Sequence, residues 1–298
     1  MSQAPGPEAT VPSTAPPRAC LLCGAHDPTP FRHDASGYTI VACRGCGLRF
    51  LDPQPDAVSL EQLYAETYYH SGDSVKLGYA RYTAEAANWR ATFRDRLRWL
   101  PPAPARVLDV GAAAGFFVEQ ARAVGYDARG VEPSGWASGF ARDELGQPVD
   151  TGMLEAQRYA DASFDVVTMW EVIEHLPDPR AFLAEVSRVL APGGTLAFST
   201  PDAGSPAARL SGRRWLGWYK VPEHLWYFDK PSLRRLLAEA GFQIAQERYV
   251  SLTVTWGFAL ERLGALLGVR LPVPGWLADK AVAINPGYDL MVVARKHG

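Results

Sequence analysis

From residue 105 onward, short apolar runs alternate with amphipathic segments. Short buried strands are predicted at 106–110, 127–132, 164–170 and 195–200, and the weak apolar stretch at 148–151 is a further candidate. The amphipathic segments predict helices at 115–124, 135–145, 179–190 and 231–240. This alternation is typical of a parallel sheet covered by helices on both faces. Ligands bind such sheets at the carboxyl ends of the strands, so the residues that follow each strand are the candidates for chemistry.

The pattern before residue 105 is different. Residues 1–19 contain five prolines and no apolar run, which predicts a disordered tail. Residues 56–104 are predicted to form a helical linker or lid. Within it, a short helix carries Leu60, Leu63 and Tyr64, and a longer helix covers about 77–99.

The composition places the chain among globular proteins, with 47% hydrophobic and 21% charged residues. The 30 basic and 32 acidic residues give a net charge of −2. Without a basic surplus, no nucleic-acid partner is expected. The N-terminal segment lacks the apolar core of a signal peptide, and no run of about 18 apolar residues appears, so a cytoplasmic location is expected.

All four cysteines lie in two Cys-x-x-Cys pairs, Cys20 with Cys23 and Cys43 with Cys46. The 19 residues between the pairs fit the spacing of a zinc ribbon. Two such pairs complete a closed shell of four thiolates around one ion. Residues 20–55 are therefore predicted to be a zinc ribbon with a structural metal. The alternatives are free buried cysteines or a redox pair.

The first strand of the alternating part leads into a glycine-rich turn. Gly111 and Gly115 in this turn let a ligand approach the backbone before the next helix. A nicotinamide-binding loop would need glycine at positions 113 and 116, which are alanine and phenylalanine here. The second strand ends at Glu132, whose carboxylate can accept two hydrogen bonds from a ribose diol.

Together these motifs resemble the class I S-adenosylmethionine-dependent methyltransferases. The resemblance rests on residues 107–115, 130–134, 164–167, 171–176, 190–194 and 228–242, in matching order and spacing. It implies a Rossmann-like α/β fold with a seven-stranded sheet, in a domain covering 105–298. The last strand, at 289–295, should run antiparallel. One departure is Ala113, where the family usually has glycine.

The resemblance also implies the cofactor S-adenosylmethionine and its contacts. The implied contacts are Asp109, Gly111, Ala112 and Gly115 with the methionine and ribose parts, Glu132 with the ribose hydroxyls, Met153 and Leu154 with the adenine, and Trp170 with the methyl-bearing sulfonium. Asp109 would hold the cofactor ammonium. The alternative for Trp170 is a core position.

Three histidines are weighed for action on the acceptor. His224, which follows the fifth strand, is predicted to be a general base that takes a hydroxyl proton. His175 is the second catalytic candidate, with a hydrogen-bonded structural role as its alternative. His70 is a candidate for the lid.

A second metal ion is implied by a narrower resemblance. Residues 171–175 resemble the ubiquinone-pathway O-methyltransferases, which use a Glu-x-x-Glu-His segment to hold a divalent ion. Glu171, Glu174 and His175 match that pattern. Two carboxylates and an imidazole suit an ion with open positions for substrate oxygens. The alternative is a loop without metal.

Residues 201–228 are predicted to form a substrate loop, because a long loop beside the active rim is usually functional. Its aromatic and basic side chains are Arg213, Arg214, Trp215, Trp218, Tyr219, Lys220, Trp226, Tyr227 and Phe228. Aromatic faces suit sugar rings or planar acceptors, and basic groups suit phosphate. The alternative is a hydrophobic clamp on the loop itself.

Residues 251–285 are predicted to be a helical insertion before the last strand. Trp256, Leu260, Leu263 and Leu267 lie on one helical face. This face either packs over the sheet or makes a peripheral membrane contact with a lipid-linked acceptor nearby.

The sequence thus predicts a methyltransferase that acts on the hydroxyl of a small molecule or glycan. The zinc module in front resembles zinc-containing methyltransferases of bacterial secondary metabolism and surface-sugar pathways. One alternative is a scaffold that has lost catalysis, supported only by Ala113. Another is a protein or RNA methyltransferase that uses the zinc ribbon for recognition. The acceptor, the methylated atom and the oligomeric state are not set by the sequence.

Overall fold

A computed structural model describes residues 18–34, 36–56, 83, 85–267 and 269–297. The predicted helix around Leu60, Leu63 and Tyr64 lies outside these residues. So do His70 and the first part of the helix predicted at 77–99.

Strands and helices alternate through most of the described chain. The strands are β1 (Pro28–His33), β2 (Thr39–Cys43), β3 (Arg49–Asp52), β4 (Arg106–Val110), β5 (Asp127–Glu132), β6 (Val149–Thr151), β7 (Phe164–Trp170), β8 (Leu190–Pro201), β9 (Trp226–Tyr227), β10 (Phe242–Tyr249), β11 (Leu252–Thr255), β12 (Ala281–Ile284) and β13 (Asp289–Lys296). The helices are α1 (Ala86–Leu97), α2 (Phe116–Ala123), α3 (Gly135–Asp143), α4 (Leu154–Gln157), α5 (Pro179–Val189), α6 (Pro206–Ser211), α7 (Lys230–Glu239), α8 (Trp256–Leu267) and α9 (Gly275–Ala278). Short 3-10 turns occur at Ile173–His175, Gly212–Arg214 and Leu216–Tyr219.

The largest sheet has seven strands in the order β10-β13-β8-β7-β4-β5-β6. Strands β4 to β8 run parallel, and β13 runs antiparallel to both β8 and β10. The central strands are buried on both faces, as their continuous apolar runs require. This confirms the predicted seven-stranded α/β fold, including the antiparallel last strand.

The N-terminal module is a second, antiparallel sheet in the order β1-β2-β3-β9. Its fourth strand comes from the distant segment 201–228. Phe50 of β3 pairs with Trp226 of β9, and both side chains are fully buried. The module is therefore completed by a strand of the α/β part.

The segment 201–228 is mostly packed into the interior. It contains α6, two 3-10 turns and β9. Its indole rings at Trp215, Trp218 and Trp226 are at most 3% exposed. The structure corrects the interpretation of these rings as a surface for an acceptor, because they fill the space between the module and the large sheet.

Residues 251–285 form a two-stranded hairpin, β11 with β12, that carries α8 and α9. The insertion is thus partly strand. Phe258 and Leu263 of α8 are 38% and 45% exposed, and the side chain of Leu267 lies outside the description. Strand β11 packs against α1, where the Thr253 N–H donates to Thr92 Oγ1. None of the described helices combines the length and apolar character needed to cross a bilayer.

Candidate active site

The turn after β4 has two positions, Gly111 and Gly115, where the backbone conformation and the close packing require glycine. Gly111 and Gly115 have φ of 72° and 77°, in the left-handed region. A Cβ at Gly111 would lie 2.6 Å from Cγ2 of Val172, and one at Gly115 would lie 2.8 Å from Cβ of Ala141. The turn is therefore closely packed against the residues that follow β7 and against α3. Ala112, between them, is buried.

Glu132, at the end of β5, joins this turn to the next helix. Its carboxylate accepts the N–H of Ala113 at 2.9 Å and the N–H of Ser134 at 2.8 Å. Ala113 has a φ of 47°, so it takes the left-handed conformation that glycine usually supplies, at a cost of about 1–2 kcal/mol. The departure at position 113 therefore leaves the turn intact.

Asp109 lies beneath the turn and is 1% exposed. Its Oδ1 accepts the hydroxyl of Thr168, at 2.7 Å, from the neighbouring strand β7. Burial, together with the charge of Glu132, raises the pKa of Asp109 to about 8. A bound ammonium group would favour its ionised form. Sequence reasoning missed Thr168, although a hydroxyl in a mostly apolar strand is a usable signal.

Met153 and Leu154, both predicted to lie beside the adenine, differ in their exposure to solvent. Met153 precedes α4 and is 45% exposed, so its side chain is available to a ligand. Leu154 is 1% exposed and belongs to the hydrophobic core. The predicted position of Leu154 beside the adenine stays a prediction.

Trp170 ends β7 at the rim of the sheet. It packs against Phe93 and Phe117, with ring centroids 6.4 Å and 5.3 Å away. Its Nε1 is buried without a hydrogen-bond partner in the described part of the chain. The side chain is half-buried, so it is both a packing residue and part of the rim.

A second group of polar side chains follows β7. The rings of His175 and His224 meet edge to face, with centroids 4.7 Å apart. Glu174 is 1% exposed; its Oε1 lies 3.9 Å from Nε2 of His175, and its Oε2 accepts the hydroxyl of Thr200 at 2.9 Å. Ligand atoms of Glu174, His175 and His224 all lie within 4.8 Å of one another.

Both imidazoles are neutral in this environment. Burial, with the charge of Lys220, lowers the pKa of His175 to about 3. Burial lowers the pKa of His224 well below its ordinary value, and the nearby His175 and Lys220 act in the same direction. His224 is only 3% exposed. A group that resists protonation this strongly is a weak proton acceptor.

Glu171 lies apart from this group. Its φ of 56° is left-handed, and its Oε1 accepts the hydroxyl of Ser199 at 2.8 Å. Ser199 and Thr200 are neighbours on β8, and neighbouring strand residues point to opposite faces of a sheet. Glu171 and Glu174 thus bond to different residues of β8, and Glu171 is outside the group of ligand atoms that lie within 4.8 Å of one another. The predicted ion site of Glu171, Glu174 and His175 is not brought together by the structure.

The four cysteines meet at the turns that precede β1 and β3. Their Sγ atoms lie within 4.8 Å of one another, and two pairs are 3.4 Å apart, Cys20 with Cys46 and Cys23 with Cys43. Four thiolates at about 2.3 Å from a tetrahedral zinc would be about 3.8 Å apart. The donor set and its spacing therefore fit a structural zinc ion.

Comparison with known proteins gives consistent results. A family model described as "Methyltransferase domain" matches residues 79–247. Ubiquinone biosynthesis O-methyltransferases of Thiobacillus denitrificans and Rhizobium etli are 41% identical over 115 residues and 31% identical over 187 residues. These alignments cover 35% and 59% of this chain, and 50% and 73% of the relatives. Over several such curated relatives the chain spans half of their length or less.

Solved structures support the fold. S-adenosylmethionine-dependent methyltransferases of Thermotoga maritima and Archaeoglobus fulgidus match with TM-scores of 0.51 and 0.50 and identities of 22% and 18%. The matches cover 73% and 71% of this chain and 94% of each of those chains. Since the family model covers more than half of the sequence and the sheet has the same fold, the chain belongs to the methyltransferase domain family, with the class I S-adenosylmethionine-dependent fold.

Proposed function

We propose that the protein transfers a methyl group from S-adenosylmethionine to a hydroxyl group of a small molecule. The observation that carries the proposal is the position of Glu132, whose carboxylate spans the glycine turn and the start of α3. A carboxylate held there can accept the two hydroxyls of a ribose. Gly111 and Gly115 supply the left-handed backbone of the turn that the rest of the cofactor would approach.

Other residues of the chain fit the remaining parts of the cofactor. Asp109 offers a buried carboxyl group for the ammonium, and Met153 offers an exposed apolar side chain for the adenine. Trp170 closes the rim where the sulfonium would lie. Because the sulfonium is already an activated methyl donor, alignment of donor and acceptor supplies much of the rate.

The names of the relatives and the resemblance of the zinc module each point to a class of acceptor. Relatives carry the name ubiquinone biosynthesis O-methyltransferase, which favours a hydroxyl on an aromatic ring. The resemblance of the zinc module favours a sugar or secondary-metabolite acceptor. The indole rings at Trp215, Trp218 and Trp226 are buried and offer neither acceptor a stacking surface. The name of the relatives is therefore the support for a phenolic hydroxyl.

The proton of that hydroxyl needs a base at the rim. Glu171 directly follows Trp170 and is half-buried, and its neighbour Val172 contacts the glycine turn. We assign the base role to Glu171 in preference to His224, which is buried and resists protonation. His175 keeps a structural role in this proposal, since its Nδ1 bonds to the carbonyl of Glu223.

The test has two stages. Calorimetric titration with S-adenosylmethionine should show micromolar binding at one site per chain, and no binding would favour a scaffold without catalysis. Methyl transfer is then followed as S-adenosylhomocysteine production with a catechol and, separately, with a nucleotide sugar. Turnover of the catechol supports the phenolic acceptor, whereas turnover of the nucleotide sugar alone would replace it with a glycan.

A further inference from the structure

The first cysteine turn of the zinc ribbon, residues 20–23, is bound from outside the ribbon by two arginines. We propose that Arg180 and Arg235 hold this turn in the conformation that binds the ion, so that both parts of the chain build the zinc site. The two side chains come from α5 and α7, and their bonds to the turn span 158 to 213 residues of the chain. The proposal depends on the zinc ion that the four cysteines fit, but not on methyl transfer or on the acceptor.

The carbonyl groups of the two residues between the cysteines both accept hydrogen bonds from guanidinium groups. Arg180 donates from Nε to the carbonyl of Leu21 at 2.8 Å and from Nη2 to that of Leu22 at 3.2 Å. Arg235 donates from Nη2 to the Leu22 carbonyl at 2.8 Å. Because the N–H groups of a guanidinium lie in one rigid plane, these bonds fix the direction of both carbonyls as well as their position.

Each of these carbonyls belongs to a peptide group whose N–H faces the first cysteine. Burial raises the pKa of the Cys20 thiol, and hydrogen bonds from the backbone N–H groups of Cys23 and Leu22 act against this rise. In a planar trans peptide the N–H and the C=O point in opposite directions. The Leu21 carbonyl shares its peptide group with the Leu22 N–H, and the Leu22 carbonyl shares its own with the Cys23 N–H. An arginine that binds such a carbonyl therefore orients and polarises the N–H that reaches the sulfur.

Glu239, the last residue of α7, holds the two arginines together. Its Oε2 lies 2.6 Å from Nη2 of Arg180, and its Oε1 accepts from Nε of Arg235 at 2.9 Å. All three side chains are partly exposed, so solvent and salt screen their charges. The bonds should therefore act mainly through the orientation of the cysteine turn.

Arg235 also lies close enough to the sulfur atoms to interact with their charge. Hydrogen bonding to Glu239 raises the pKa of Arg235, and the charges of Glu239, Cys46 and Cys23 act in the same direction. Residues 44–47, at the second cysteine turn, are exposed, so a competing ligand can reach the ion from that side. The first cysteine turn is thus the side of the site that the fold secures, and its arginines should set how tightly the ion is held.

Competition between the zinc-loaded full chain and a chromophoric zinc chelator tests the proposal. Arg235→Met should weaken zinc binding at least about tenfold, which is the usual effect of removing an outer partner of a metal ligand. Arg180→Met should act in the same direction. Arg235→Lys keeps the charge but loses the planar set of donors, so it should restore only part of the affinity.

Cobalt gives a second readout, which loosening of the ribbon alone would not change. Co²⁺ bound by thiolates shows sulfur-to-metal charge-transfer absorption. Weaker N–H···S bonds at Cys20 would leave the sulfur more electron-rich, so this band should move to longer wavelength in Arg180→Met and Arg235→Met. Circular dichroism verifies that each variant is folded.

Two further variants serve as matched controls. Arg234→Met removes the neighbouring arginine of α7, which pairs with Glu247 of β10 and not with the cysteine turn. Arg18→Met removes a bond from the ribbon to the carbonyl of Pro177, outside the cysteine turn. Both variants should bind zinc as tightly as the wild type and show its cobalt spectrum.

Wild-type zinc affinity and an unshifted cobalt band in the folded Arg180→Met and Arg235→Met variants would overturn the proposal. An equal loss of affinity in Arg18→Met, with the band unshifted in every variant, would overturn it in favour of simple docking of the ribbon. A wild-type chain that binds no zinc would refute the zinc site together with this proposal.

Discussion

Arg96 and Asp289 form a buried ion pair, with Nη2 2.9 Å from Oδ2, although 193 residues separate them in the chain. Both side chains are at most 3% exposed. Arg96 also donates to the carbonyl of Ser251, and its guanidinium lies 6.0 Å from the ring centroid of Trp170. The pair therefore fixes α1 to the first residue of β13, beside the candidate acceptor rim.

Replacing Arg96 with leucine should destabilise the protein by about 3 kcal/mol, because the buried carboxyl group of Asp289 would lose its partner. Urea unfolding followed by circular dichroism measures the effect. The exposed Arg94, two residues earlier in the same helix, provides the control, and Arg94→Leu should change stability by less than about 0.5 kcal/mol. If the two substitutions lowered the free energy of unfolding equally, the ion pair would contribute no more to stability than an exposed arginine does.

Glu132→Ala should weaken S-adenosylmethionine binding at least about tenfold, because it removes charge-assisted hydrogen bonds to the ribose. Calorimetric titration measures the dissociation constant. Since Glu132 also accepts the N–H groups of Ala113 and Ser134, thermal unfolding must show that the variant is folded at the titration temperature. Glu144→Ala, in an exposed position after α3, should bind normally. Unchanged affinity in Glu132→Ala would place the ribose elsewhere.

Asp109 should make cofactor binding depend on pH. Its pKa is raised to about 8 by burial and by the charge of Glu132, so below pH 8 it is mostly protonated in the free protein. Binding of the cofactor ammonium would favour the ionised form and release a proton. Affinity should therefore rise with pH, by up to about tenfold per unit, and level off above pH 8.

The raised pKa of Asp109 also determines how the stability of the folded protein changes with pH. The folded pKa of Asp109 exceeds its ordinary value of 3.8, so the folded state binds the extra proton between about pH 4 and 8. This contribution to stability is complete below pH 4 and is lost as the pH rises through 8. Asp109→Asn should lack both pH dependences. A variant whose affinity still follows the wild-type pH curve would assign the titration to another group.

The sheet could be predicted from sequence because its strands and helices can each be recognised from a short stretch of the chain. β4 and β7 are short, mostly apolar strands, each followed by a turn and a helix, and such alternation of strands and helices permits few topologies. The glycine turn and Glu132 could be located because they follow strands directly. The cysteine pairs could be assigned to one metal because their spacing is itself the signal.

The arrangement around β9 was not predictable in the same way. Trp226 looks identical in sequence whether it stacks on a ligand or packs beneath Phe50, and its strand is only two residues long. Glu171 bonds to Ser199 and Glu174 bonds to Thr200, a difference that the spacing of the motif does not show. Only tertiary contacts bring His224 to His175, so no local pattern could reveal that group.

Zinc removal should disturb the rim as well as the ribbon, since a short chain of backbone bonds connects them. The Leu225 N–H donates to the carbonyl of Glu174, and the Leu225 carbonyl accepts from the N–H of Leu51 in β3, both at 2.9 Å. Trp226, the next residue, is buried against the same strand. Loss of the ribbon would therefore expose this indole ring.

We expect metal removal by a chelator under reducing conditions to shift tryptophan emission to longer wavelength. It should also destabilise the protein by about 2 kcal/mol or more, which corresponds to roughly 4–8 °C in Tm. Cys43→Ser should reproduce both changes, and added Zn²⁺ should reverse them in the stripped wild type alone. Ser36→Ala, in the exposed turn between β1 and β2, should behave as the wild type. A stripped protein with unchanged emission and Tm would show that the cysteines support neither the ribbon nor the rim.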